Sequence, residues 1–281
     1  MTVDLNKQTL MPNSDNCKIY VFHYKNGEAF PNSAGYTHIL AGKENCTGKS
    51  DLTGDNTGEN ISVKNKYYSE LTGIYWIFKN QRSKIVGTSH YRRFFTAKGE
   101  PLEYKLKRLL YYLAGMNTGR HGLIYTSDYK FWKNRILTCE EATSLLNDFD
   151  AIMPERRKLR QTIEKHYVKY HDIADLQLLR KIITEIAPEY TGSFENTLQQ
   201  KRLYANNMMV MKSPNFKALC SWLFMILFEF EKRVNLAEYK DYQQRIFGFI
   251  SERLITTWVN HHNLRVKELQ LIYFKNLKKQ L

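Results

Sequence analysis

The sequence predicts an α/β protein, in which a sheet flanked by helices is followed by a mainly helical C-terminal half. Two runs rich in β-branched and aromatic residues, 18–25 and 84–89, have the composition of buried strands. Between these runs, Leu71, Ile74 and Tyr75 recur at the spacing of an amphipathic helix. From about residue 155 onward, helical periodicity predominates.

The bulk composition predicts one ordered domain. No linker or internal repeat interrupts the chain, so we expect a single domain over residues 1–281, with an α/β half at about 15–154 and a helical half at about 155–281. A net charge of +14 favours anionic partners. The N-terminus lacks the features of a signal peptide, and no apolar run approaches about eighteen residues, so a cytoplasmic location is expected.

The elements of the α/β half follow in chain order. The first strand ends in polar side chains, which suits nucleotide binding. Segment 42–50 resembles a phosphate-binding loop, but five residues separate its glycines where four are typical, so we interpret it as an ordinary loop. The turn-forming residues of 51–60 predict a further loop, and a helix over 65–80 follows with Asn65 as its cap.

The later elements follow from the same patterns. We expect a basic helix over 101–117, strands at 123–125, 151–153 and 207–212, and helices at 213–230 and 242–253. Ser213 is the predicted cap of helix 213–230, and Pro214 is its predicted first residue.

The segment His90-Tyr91-Arg92-Arg93 stands where strand 84–89 ends, and open α/β sheets bind their ligands at this edge. Two arginines and a histidine there can bind a pyrophosphate through charge-assisted, partly bidentate hydrogen bonds. Against this, neighbouring side chains of an extended segment point to opposite faces, so that one arginine would make only a surface ion pair. The sequence favours the phosphate clamp.

Several segments together resemble one family of sequences. They are 58–65, 68–73, 76, 79–80, 87, 90–95, 152–154, 166–167, 171, 175–176, 207–208, 222–224, 247–249 and 251–253. This family has long been carried as a domain of unknown function in capsule, exopolysaccharide and O-antigen loci. The resemblance implies a GT-A glycosyltransferase fold and inverting transfer of a sugar, galactofuranose in characterised relatives, from a UDP-linked donor. The implied acceptor is a growing cell-surface polysaccharide or a lipid-linked oligosaccharide.

The resemblance also implies roles for individual residues. The residues expected to bind the donor are His23 and Lys25 at the polar end of the first strand, and Asn60, Ser62, Asn65, Glu70, His90, Arg92 and Arg93, with Glu70 contacting the nucleoside; His171, Asn207 and Arg245 are expected on the acceptor side. An inverting transferase needs a base for the proton of the acceptor hydroxyl. Glu252 shares a helix face with Arg245, and Asp175 shares one with His171 if the helix continues from Glu164. The choice between Glu252 and Asp175 stays open.

No metal or other cofactor is expected. Segment 90–93 occupies the place of the acidic DxD motif of GT-A enzymes, and arginines repel a divalent cation but neutralise a diphosphate. Asp148-Phe149-Asp150 has the DxD spelling, but it precedes a strand instead of ending one, so we interpret it as strand-entry or capping acids.

Alternative interpretations remain for some features. A nucleic-acid-binding protein is the alternative from another class, since 19 Tyr and 15 Phe accompany the basic excess, but no nucleic-acid-binding module is recognisable. The four cysteines lack the pairing of a zinc site, and His166 and His171 lack the spacing of a zinc protease. The basic segment 264–279 is interpreted as a solvated terminal helix or as a contact with the inner, anionic face of the membrane.

Overall fold

A computed structural model describes residues 16–25, 29–31, 33–114 and 123–275, without the side chains at 107, 108, 111 and 112. The strands are β1 (Cys17–His23), β2 (Tyr36–Leu40), β3 (Thr53–Gly54), β4 (Ile85–His90), β5 (Arg93–Thr96), β6 (Leu123–Thr126), β7 (Ala151–Pro154), β8 (Arg157–Lys158), β9 (Arg202–Leu203), β10 (Val210–Lys212) and β11 (Val266–Phe274). The α-helices are α1 (Asn65–Tyr68), α2 (Leu71–Asn80), α3 (Leu102–Leu113), α4 (Tyr129–Trp132), α5 (Cys139–Asp148), α6 (Ile163–Tyr170), α7 (Ile173–Ile186), α8 (Thr191–Gln199), α9 (Ser213–Arg233) and α10 (Ile246–His261).

The main sheet is mixed and has nine strands. Its parallel part has the order β3-β2-β1-β4. Next to β4, β10 runs antiparallel and pairs with β7, which in turn runs parallel to β11. The second half of β11 lies between β5 and β6, while β8 and β9 form a separate ribbon. The carboxyl ends of β1, β2, β4, β7 and β11 therefore meet at one edge of the sheet.

Helices cover both faces of this sheet. Tyr20 and Phe22 of β1 pack into the larger apolar core, which also contains residues of α2, α7, α9 and α10. Ile19 points the other way and packs with Ala142 and Leu146 of α5. This alternation is that of a strand buried on both faces, and it confirms the predicted α/β sheet flanked by helices.

The C-terminal prediction was wrong for the described part of segment 264–279. In place of a solvated or membrane-bound helix, the structure has β11 inside the main sheet. Leu269, Leu271, Ile272 and Phe274 are all buried, because both faces of this strand are covered. Residues 276–279 lie outside the described residues. Strands β10 and β11 show that the part after residue 155 also contributes to the sheet.

Three helix predictions also need correction. The helix expected over 65–80 is interrupted at Ser69, whose φ of 51° is left-handed, and Asn65 begins α1 without capping it. Ser213 is likewise the first residue of α9, and Lys212 is the residue before it. The helix from Glu164 does not continue to Asp175, since α6 ends at Tyr170 and Asp172 caps α7.

None of the helices in the described part of the chain is both long and apolar enough to cross a membrane.

Candidate active site

A cavity of about 920 Å³ opens at the carboxyl edge of the sheet. Nine residues predicted from the sequence line it: His23, Asn65, Glu70, His90, Arg92, Arg93, His171, Arg245 and Glu252. Five others do not line it: Lys25, Asn60, Ser62, Asp175 and Asn207. The fold thus brings most of the predicted donor-side and acceptor-side residues to one site.

A tight hairpin presents the two arginines of the motif. His90 ends β4 and pairs with Arg93 at the start of β5, so Tyr91 and Arg92 form the turn between them. Both guanidinium groups lie over the ring of Tyr273, 5.2 and 5.5 Å from its centroid. Because the chain turns here, both arginines line the cavity, and this geometry favours a clamp over a surface ion pair.

These two arginines have spare hydrogen-bonding capacity. The Nε atoms of Arg92 and Arg93 are buried and have no hydrogen-bond partner among the described residues. Arg157, just beyond the end of β7, lines the same cavity, and its buried Nε also has no hydrogen-bond partner among the described residues. Arg157 was missed by sequence reasoning, although the same rule of charged residues after a strand applies to it. Three arginines can therefore bind an anion in this cavity.

Glu70 lies at the break between α1 and α2 and is held from two sides. Its Oε1 accepts a hydrogen bond of 2.8 Å from Asn207 Nδ2, and its Oε2 accepts one of 3.3 Å from Arg245 Nη2. Arg245 Nε also donates to Ser69 Oγ at 2.9 Å. Burial raises the pKa of Glu70, but the electrostatic interactions with His90 and Arg245 and the hydrogen bond from Asn207 outweigh it and lower this pKa below its ordinary value. Glu70 is therefore ionised.

Glu252 is the second cavity carboxylate and belongs to α10. Its Oε1 accepts a hydrogen bond of 2.7 Å from the backbone N–H of Asn206, and its Oε2 accepts one of 3.1 Å from Arg253 Nη1. Burial raises the pKa of Glu252 above its ordinary value despite the opposing effects of Arg253 and Asn206. A raised pKa strengthens a carboxylate as a proton acceptor. One turn earlier, a Cβ added to Gly248 would meet no atom within 4 Å, so the wall is open there.

Two consecutive asparagines connect these groups. Asn206 and Asn207 both have positive φ, of 77° and 49°, which asparagine adopts more readily than most residues. The carbonyl of Asn206 accepts a 2.7 Å hydrogen bond from His90 Nε2, and its N–H binds Glu252. Asn207 Oδ1 accepts from Ser251 Oγ at 2.9 Å. Asn207 was expected on the acceptor side; the structure shows that it holds Glu70 from behind the cavity wall.

His23 and His171 line the cavity as neutral hydrogen-bonding groups. His38 Nε2 donates to the carbonyl of Pro31 at 3.1 Å, so a neutral His38 accepts at Nδ1 from His23 Nε2 at 2.9 Å. Burial, followed by the charge of His38, lowers the pKa of His23 to about 4. Burial also lowers the pKa of His171, which donates from Nδ1 to Gln243 Oε1 at 2.7 Å.

Asp175 is not placed to act as the base. It is buried outside the cavity, and its two oxygens accept hydrogen bonds from the hydroxyls of Tyr167 and Tyr239. The expected shared helix face with His171 is absent, because the chain leaves one helix and enters another between them. Of the two carboxylates predicted as the base, Glu252 lines the cavity and Asp175 does not.

The other predicted residues outside the cavity have structural contacts. Ser62 donates to buried Asp55, whose carboxylate also accepts from the backbone N–H groups of Gly42 and Lys43, and Asn60 accepts from the N–H of Ser62. Lys25 lies over the ring of Tyr24. These contacts organise loops beside the site, and no local pattern indicates the role of Asp55.

The rival DxD segment lies away from the cavity. Both oxygens of Asp150 accept hydrogen bonds from Arg265, and the pKa of Asp150 is lowered by this hydrogen-bonded pairing. Among the residues that the structure describes, no three His, Cys, Asp or Glu side chains are grouped as metal ligands. That the reaction needs no metal stays a prediction.

Comparisons with known proteins give two matches. The family model described as Domain of unknown function (DUF4422) matches residues 18–263. Among solved structures, the chain is similar to the apo structure of the bifunctional glycosyltransferase WbbM, with 29% sequence identity and a TM-score of 0.80. This alignment covers 93% of the chain and 46% of WbbM, so the chain spans about half the length of that protein. No curated protein matches the chain.

Proposed function

The chain belongs to the DUF4422 family, and we propose that it is an inverting glycosyltransferase that moves a sugar from a UDP-linked donor to a growing cell-surface polysaccharide or lipid-linked oligosaccharide. The likeness to WbbM supports glycosyl transfer and does not favour the nucleic-acid-binding alternative. The sequence resemblance to galactofuranosyltransferases supports galactofuranose as the sugar. Action at the inner face of the plasma membrane, where a lipid-linked acceptor is available, belongs to the same proposal.

One observation carries this proposal: five arginines and a partly buried carboxylate with a raised pKa, that of Glu252, line the same cavity. Arg92, Arg93 and Arg157 supply the positive charge that a nucleoside diphosphate needs. Glu252 supplies a proton acceptor in the same cavity. Phosphate binding and proton abstraction are the two tasks of an inverting transferase.

The arginines act mainly on the leaving group. As the bond between the anomeric carbon and the diphosphate breaks, negative charge grows on the departing oxygen, and preorganised donors there lower the barrier. Guanidinium groups stay protonated throughout the physiological range and provide positive charge without a metal cation. We therefore propose that transfer is metal-independent.

Glu252 acts on the acceptor. A hydroxyl oxygen of the acceptor attacks the anomeric carbon from the face opposite the diphosphate, its proton passes to Glu252, and UDP leaves. The products are the extended glycan with inverted anomeric configuration, UDP and a proton that Glu252 later releases to water. The hydrogen bonds from Asn206 and Arg253 fix the carboxylate for this step.

The remaining polar residues of the cavity suit the nucleoside and the sugar. Ionised Glu70 is an acceptor for donor hydroxyl or N–H groups, in line with the role that the family resemblance implies. His171 and Arg245, on the side of the cavity formed by α6 and the start of α10, are proposed to contact the acceptor.

Binding and transfer assays with UDP-sugars test the proposal. The purified chain is titrated with UDP, UDP-galactofuranose, UDP-galactose and UDP-glucose, in EDTA and in manganese, and donor hydrolysis is followed. We expect UDP binding and hydrolysis to persist in EDTA. Loss of donor hydrolysis in EDTA and its return with manganese would overturn metal independence. If no UDP compound binds while single-stranded nucleic acid does, the transferase proposal fails.

A further inference from the structure

Helix α3 exposes a stripe of leucines. Leu102, Leu106, Leu109, Leu110 and Leu113 are each between 51% and 71% exposed. They recur at i, i+4, i+7, i+8 and i+11, so they lie along one side of the helix. Soluble proteins rarely expose so many large apolar side chains in one contiguous patch unless it binds something.

The leucine stripe is not needed to attach the helix to the protein. Tyr104, on the other side of α3, packs with its ring 5.6 Å from that of Phe131 and 5.4 Å from that of Trp132. Its hydroxyl donates to Asp128 Oδ2 at 3.2 Å. The helix is therefore held through Tyr104, and its leucines point away from this contact.

Basic residues accompany the stripe. Lys105 on the helix is exposed, and the sequence of α3 also contains Lys107 and Arg108 against the single acid Glu103. Lys130 and Lys133 are exposed beside the Phe131–Trp132 contact. An apolar stripe next to positive charge is complementary to an anionic bilayer surface, in which leucines enter the acyl boundary and ammonium groups meet lipid phosphates.

We propose that α3 is an interfacial anchor that lays its leucine stripe into an anionic phospholipid leaflet. Its 12 residues span only about 18 Å, too short for a hydrocarbon core of about 30 Å but sufficient for a helix lying in the interface. The membrane contact that was one of two interpretations of segment 264–279 is thereby assigned to a different element. This anchor is independent of the sugar and donor that the cavity binds.

Vesicle flotation tests the anchor with the whole chain. Vesicles of phosphatidylcholine alone are compared with vesicles that also contain phosphatidylglycerol. We expect flotation with the anionic vesicles, a decrease of at least about tenfold in the bound fraction for L106D/L110D, and a smaller, salt-dependent decrease for Lys105→Glu. Met225→Asp, at an exposed apolar residue of α9, is the matched control and should float as the parent chain does.

Other results would overturn the anchor. Equal flotation of the parent chain and L106D/L110D would remove α3 from membrane binding. A dimer in light scattering that L106D/L110D converts to a monomer, without vesicle binding, would assign the stripe to a second copy of the chain. Unchanged circular dichroism and UDP binding of L106D/L110D show that the variant is folded. If no assay detects transfer activity but flotation is intact, the proposed function is contradicted and the membrane anchor is not.

Discussion

Two sets of charged groups in the cavity, three arginines and two carboxylates, differ in how they are partnered. The Nε atoms of Arg92, Arg93 and Arg157 are buried without a hydrogen-bond partner among the described residues. Glu70 and Glu252, in contrast, each accept hydrogen bonds on both oxygens. An unpartnered buried donor costs about 1–3 kcal/mol, so the arginines gain most when an anion binds. The carboxylates are already positioned in the free protein.

This difference separates the two tasks of the site. The arginine side is completed by its ligand, and changes there should affect binding of phosphates. The carboxylates are already hydrogen-bonded in the free protein, and a change at Glu252, the proposed base, should affect the reaction while donor binding persists. Variants of each side therefore test whether phosphate binding and proton transfer are separate tasks.

The largest effect is expected for Glu252→Gln. The amide side chain of this variant keeps an oxygen for the N–H of Asn206 but cannot take up a proton at neutral pH, so the rate of transfer should fall about 10³-fold. UDP affinity, measured by calorimetry, should stay within about threefold of the parent value. Glu229→Gln, at an ion pair on α9 outside the cavity, is the matched control and should transfer normally. A Glu252→Gln protein with full activity would remove Glu252 as the base.

The pH profile sharpens the same assignment. Since burial raises the pKa of Glu252, the acid limb of the transfer rate should lie above the pKa of an ordinary glutamate, and activity should fall as pH drops through it. Glu252→Gln should abolish this limb in the residual activity. Asp175→Asn should leave it unchanged, because Asp175 lies outside the cavity, bonded to two tyrosines. A limb that moves with Asp175→Asn would reverse the choice of base.

The next effect is expected for Arg92→Gln and Arg93→Gln. Each removes a charge that is proposed to face the diphosphate, so UDP should bind about 10²-fold more weakly while uridine binds unchanged. Calorimetry with UDP and uridine measures both. Arg265→Gln is the control, since Arg265 pairs with Asp150 away from the cavity. Equal losses for UDP and uridine would mean that the hairpin shapes the nucleoside site and does not bind phosphate.

Sequence reasoning succeeded where the signal is local. His90 to Arg93 follow a strand directly, and the rule that ligands bind at carboxyl ends of strands was enough to place them. It failed where distant segments meet. The Asn206 carbonyl binds His90 across 116 positions, and its N–H binds Glu252 across 46. The periodicity of a single segment does not indicate hydrogen bonds between residues so far apart in the chain.

Two errors in the predicted fold have the same origin. The apolar period of residues 65–80 is continuous, so nothing local indicates the break at Ser69, where Arg245 donates to the hydroxyl. Strand β11 is long and mixes charged with apolar residues, and it is recognisable only beside the strands that flank it. In both places, tertiary contacts override the local pattern.

The smallest effect is expected for Gly248→Ala, which adds one methyl group beside the carboxylate side without touching a charge. A Cβ there meets no protein atom within 4 Å, and alanine favours a helix over glycine by about 1 kcal/mol, so the melting temperature should stay constant or rise. If the acceptor occupies this space, its KM should rise about three- to tenfold with UDP affinity unchanged. Gly192→Ala in α8 adds an equally uncrowded methyl group away from the cavity and should leave KM unchanged. A weaker affinity for UDP in Gly248→Ala would instead place the donor against α10, and the division of the cavity into a phosphate side and an acceptor side would then be wrong.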